Sequence, residues 1–159
     1  MKLSSLHHLL LGEWSGENHL FLNWLPEPEL ISEGTMTVTP VGNGKFLSFA
    51  YTWKHEDKEQ QGLLIVGNHN EKEEATAAWI DSWHQSGGVL QLKGGIDDSG
   101  EISVLGSFPA PPDPDWGWRI SISANNDGTL RLRMFVIPAG GEEERAVDVE
   151  YVRTLNVER

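Results

Sequence analysis

The chain has 159 residues, enough for one domain that buries its own core. Its 24 acidic against 12 basic residues leave a net charge of −12, which argues against nucleic acid and anionic membrane surfaces, since both need a basic footprint. With no cysteine, disulfides and thiolate metal sites are excluded.

Residues 3–11 place Leu3, Leu6, Leu9 and Leu10 at helical spacing, with Ser4 or Ser5 as N-cap and Gly12 as the stop. A helix of one or two turns is expected there. The segment is too short and too polar for a signal or a membrane span, so a cytoplasmic location is expected.

A first strand is predicted from Glu13 to Trp24, with Trp14, Gly16, Asn18, Leu20, Leu22 and Trp24 on one face. Pro26 and Pro28 close it. The second runs from Gly34 to Val41, and Gly42-Asn43-Gly44 turns the chain into a third, Lys45 to His55. There Leu47, Phe49, Tyr51 and Trp53 share the heavy face.

Gln61 to Asn68 and Ala75 to Trp83 flank an acidic turn, Glu71-Lys72-Glu73-Glu74, and Gly88 to Gly94 and Glu101 to Phe108 follow. Pro109 to Asp115 carries four prolines and reads as a long loop without ladder bonds. Trp116 to Ser123, Thr129 to Pro138 and Arg145 to Thr154 complete the count at about ten strands. Short connections favour neighbour-to-neighbour pairing, and a long antiparallel sheet escapes exposed edges by closing. The expected fold is an all-β, closed up-and-down antiparallel barrel over residues 1–159, with the short helix across one mouth.

Folding the last strands onto each other sets Ile120 near Met134, Arg119 near Phe135, Met134 near Val149, Leu132 near Tyr151 and Arg133 near Glu150. The apolar face then holds Trp116, Trp118, Ile120, Leu132, Met134, Val149 and Tyr151. Arg119, Arg131, Arg133, Asp148 and Glu150 fall on the other, outer face. Were Arg119 to point inward, its guanidinium would suit a ligand carboxylate.

An inward heavy face makes Tyr51, Trp53, Trp118, Met134 and Tyr151 candidate ligand-binding residues, joined by His84 at the rim. The expected ligand is a small apolar or amphipathic molecule, with no cofactor. Asp81 and His84 fall on opposite faces of a regular strand, with His84 on that of Ile80. An alternative polar site, for a hydrolase or isomerase at the barrel mouth, would use Asp81, His84 or Arg119. A third reading is a dimeric scaffold without ligand. It needs an apolar outer surface, for which Trp79, Trp83, Phe135 and Ile137 are candidates, and a homodimer is compatible with ligand binding too. The six histidines show no metal-ligand spacing.

Leu11-Gly12-Glu13-Trp14-Ser15-Gly16-Glu17, Trp79-Ile80-Asp81-Ser82-Trp83, the run from Phe108 to Ile120 and Glu150-Tyr151-Val152-Arg153 carry a resemblance that spans nearly the whole chain. They resemble a bacterial family catalogued as domain of unknown function 1579, a lipocalin relative in the calycin group. The resemblance implies a barrel and no established activity. A neighbouring calycin-like group binds haem through a histidine late in the chain, and here none follows His84.

Overall fold

The computed structural model describes residues 1–69 and 74–154. Its strands are β1 (Gly12–Phe21), β2 (Glu29–Val41), β3 (Phe46–His55), β4 (Lys58–Gly67), β5 (Glu74–Asp81), β6 (Leu90–Ile96), β7 (Ile102–Ala110), β8 (Asp113–Ala124), β9 (Leu130–Ile137) and β10 (Glu144–Arg153). Each pairs antiparallel with its neighbours in sequence, and β1 closes the ring on β10, with Trp14 opposite Arg153 and Leu20 opposite Val147. Closure satisfies both would-be edges. The expected Glu71-Lys72-Glu73 turn lies outside the described residues.

Strict alternation builds the wall. On β3, Leu47, Phe49, Tyr51 and Trp53 are buried, while Phe46 between turn and strand is exposed. Each fully buried Leu or Phe contributes about 1.5–3 kcal/mol. The β2–β3 turn needs left-handed backbone, and Asn43 and Gly44 supply it at φ 59° and 79°. A different constraint acts at Gly62 on β4. A Cβ there would lie 2.0 Å from Cζ of Tyr51, so the tyrosine ring occupies the space that a side chain would need.

The N-terminal segment is a 3-10 turn, Leu3–Leu6, running into a short helix, α1 (His7–Leu10). Leu3, Leu6 and Leu10 enter the core. The Leu3 amide donates to Asn68 Oδ1 at 3.0 Å, and Trp14 Nε1 donates to the Leu10 carbonyl at 2.9 Å. Since strands alternate in direction, this plug shares one end of the barrel with the β2–β3, β4–β5, β6–β7 and β8–β9 connections. The other five connections meet at the opposite end. No helix among the described residues is long and apolar enough to cross a membrane.

Three expectations need correction. Pro109 to Asp115 is not a long loop: β7 and β8 run on to Ala110 and Asp113, which pair, leaving Pro111 and Pro112 at the tip. A register irregularity between Phe108 and Ala110 takes in Pro109, where no ladder amide is required. On β9 and β10, Met134 faces Val147, Leu132 faces Val149 and Arg133 faces Asp148, because a bulge between Arg145 and Val147 shifts the register. The first strand stops at Phe21, so Trp24 lies beyond it and is 76% exposed. The β8–β9 register, with Ile120 on Met134 and Arg119 on Phe135, is as expected.

Candidate functional site

At the end opposite the plug, β5 finishes on Asp81, whose side chain points into the barrel and is 3% exposed. Its Oδ1 accepts the backbone amides of Trp83 (2.9 Å) and His84 (3.0 Å), the bonding of an Asx turn. Its Oδ2 accepts the Tyr51 hydroxyl at 2.7 Å and Trp53 Nε1 at 3.3 Å. Trp79 Nε1 in turn donates to the Tyr51 oxygen at 2.8 Å. Burial, and then the neighbouring Asp81, push the Tyr51 phenol well above its ordinary pKa. Tyr51 is therefore a fixed donor to Asp81.

The turn delivers the His84 ring into a box of indoles. Ring centroids of Trp53, Trp79, Trp83 and Trp118 lie 5.7, 5.8, 4.8 and 5.2 Å away. Burial lowers the His84 pKa to about 4, an effect that Asp81 partly opposes, so the imidazole is neutral near pH 7. Trp79 and Trp118 stack across the barrel at 5.1 Å with 13° between planes.

Against this box lies a cleft of about 460 Å³, lined by residues that include Trp79, His84, Gln85, Phe108, Pro109 and Trp118. The size suits a small molecule. Three wall residues each keep one buried polar atom without a protein partner: His84 Nε2, Trp118 Nε1 and Gln85 Oε1. A larger groove of about 900 Å³ runs along the outer wall, past Phe46, Ile65, Leu105 and Ile137.

The family model described as protein of unknown function (DUF1579) matches residues 4–153. The chain belongs to that family. No curated protein matches the sequence. Among solved structures, Rv2717c from M. tuberculosis is similar at 14% identity and a TM-score of 0.66, over 95% of this chain and 98% of that one. Likeness at that identity shows the fold alone.

In this DUF1579 barrel the sequence-predicted ligand residues separate into groups. His84 and Trp118 reach the cleft wall. Tyr51 and Trp53 stand behind it, bonded to Asp81. Met134 and Tyr151 are buried in the core, each 1% exposed, and do not line the cleft. Burial alone lifts the Tyr151 phenol, since nothing charged or hydrogen-bonding offsets it.

Of the alternative polar residues, Arg119 sits on the outer face, its Nε 3.2 Å from Glu143 and its Nη1 3.2 Å from Ser103 Oγ. Arg131 likewise forks onto Asp148 on the outside. Asp81 and His84 do come together, through the turn that ends β5. Trp79 is the main correction: expected on the outer surface, it is 2% exposed and lines the cleft. Trp83, Phe135 and Ile137 are half-buried, and it is Ile80 that faces out. Gln85 went unrecognised, as nothing about it stands out before the turn is seen. No three His, Asp or Glu side chains gather as metal ligands among the described residues.

Proposed function

We propose that the protein binds a small apolar or amphipathic molecule in the cleft at the β5–β6 and β7–β8 end of the barrel, without chemical conversion. The observation that carries this reading is the His84 box: stacked aromatic walls, a neutral imidazole and three residues with an unpartnered buried polar atom, all lining one ligand-sized space. Such a mixture of flat apolar surface and a few polar groups is the usual make-up of a small-molecule site.

The hydrolase or isomerase alternative draws less support. Both Asp81 oxygens are committed to four donors, and Arg119 is bound to Glu143 on the outer face. Neither Asp81 nor Arg119 is placed to take or give a proton in the cleft. His84 borders it, but its pKa is lowered to about 4, making it a weak base near neutral pH.

The test is a titration with N-phenylnaphthylamine, an uncharged fluorescent dye. Saturable binding to the native chain, weakened in Trp118→Ala and unaltered in Trp14→Phe, is expected. Binding that Trp118→Ala leaves unchanged would place the ligand elsewhere.

A further inference from the structure

We infer that the cleft selects ligands with an uncharged head group carrying both a hydrogen-bond donor and an acceptor, such as a carboxamide, a lactam or a hydroxyl, on a flat apolar body. This rests on the cleft being the binding site.

Gln85 decides half of the pattern. Its Nε2 donates to the carbonyls of Trp79 (3.0 Å) and Gly88 (2.9 Å), which fixes the amide orientation. Its Oε1 is left as a buried acceptor with no donor. Trp118 supplies the other half, since an indole N–H only donates and here has no acceptor. His84 Nε2, on a neutral ring, takes either role. Ser86 and Ser107 also line the cleft, and their hydroxyls select nothing.

Unpartnered buried polar atoms are uncommon in native proteins, and each one costs stability. Here three belong to residues lining one cleft. Both atoms are closed to solvent, so a molecule that shifts these side chains on entry, bringing an acceptor to Trp118 and a donor to Gln85, relieves that cost.

Charged head groups are disfavoured for a separate reason. None of the residues lining the cleft is Asp, Glu, Lys or Arg. A carboxylate would find no countercharge, would offer Gln85 Oε1 no donor, and would enter a protein of net charge −12. An ammonium would give Trp118 no acceptor. The fatty-acid type of ligand, which an inward Arg119 would have suited, is therefore disfavoured.

The test uses probes sharing one ring system: naphthalene, naphthalenecarboxamide, naphthoate and naphthylmethylammonium, each titrated into the native chain at neutral pH. The carboxamide is expected to bind about tenfold or more tighter than naphthalene, the gain from two added hydrogen bonds. Naphthoate and the ammonium are expected to bind no tighter than naphthalene. Trp118→Phe, which keeps a flat ring but removes the N–H, should shrink the carboxamide's advantage and leave naphthalene binding in place. The wild-type ranking needs no variant, so poor folding of Trp118→Phe would not blunt the test. Naphthoate, naphthylmethylammonium or naphthalene binding as tightly as the carboxamide overturns the inference and leaves the cleft as the binding site. If no probe binds, both fall.

Discussion

Tyr51 on β3 donates its hydroxyl to Oδ2 of Asp81 at the end of β5, 2.7 Å away, and Gly62 on the intervening β4 has no Cβ to obstruct the ring. This bond ties the barrel interior to the turn that carries His84. Tyr51→Phe deletes it, leaving Asp81 short of one donor and Trp79 Nε1 without its acceptor. We expect a loss of about 1–3 kcal/mol in urea unfolding, with m unchanged. Asp81→Ala should cost more, because it also strips the acceptor from the amides of Trp83 and His84.

Gly62→Ala tests the same relationship from the other side. The added methyl would occupy the tyrosine ring's place and displace it from Asp81. Overpacking of this kind costs about 1–3 kcal/mol. If the ring moves, the dye affinity of the cleft should fall as well. The double variant Gly62→Ala/Tyr51→Phe should lose less than the sum of the single losses, since both act on one bond.

His84 makes a pH prediction. Its pKa falls from 6.5 unfolded to about 4 folded. As pH drops below 6.5 the unfolded chain takes up a proton that the native imidazole refuses, so stability declines and levels off below about 4. Across that window the contribution is about 3 kcal/mol. His84→Phe should remove this part of the slope, read as the difference between the two stability–pH curves. A His84 imidazole titrating near 6.5 by NMR would contradict the burial that the account assigns to it.

The barrel was legible because β-period alternation holds over long stretches, as on β2 and β3, and turn residues such as Asn43-Gly44 mark strand ends. The proline hairpin was not. Prolines weaken a strand reading, yet at the tip and the irregularity between Phe108 and Ala110 no ladder amide is missed. The bulge in β10 has no composition signal in Arg145-Ala146-Val147, so the β9–β10 register could not be set in advance. Of the residues named for a ligand, His84 and Trp118 border the cleft. Trp79 and Asp81 differ from expectation because alternation carried on to an inward His84 turns the Ile80 face inward, whereas β5 ends at Asp81 and the Asx turn resets direction.

Two tryptophans separate core from cleft wall. Trp14 is enclosed, with Nε1 on Leu10 and the Arg153 guanidinium 4.3 Å above its ring. Trp14→Ala should cost the ~3–5 kcal/mol of a core cavity. Trp118 has the stacked Trp79 on one face and borders the cleft, so Trp118→Ala should fall below that range while altering dye binding. Denaturant melting and dye titration on the same proteins read both.

Ligand entry into the Trp79–His84–Trp118 cleft, as proposed, can be observed directly on the indole N–H resonances. The chain has 7 tryptophans, whose Nε1–H signals can be followed in a nitrogen-15 NMR titration with N-phenylnaphthylamine. Trp118 Nε1–H is expected to shift most and Trp79 next, while Trp14 and Trp24 stay in place. Shifts centred on Trp14 or Trp24, with Trp118 unmoved at saturation, would contradict it.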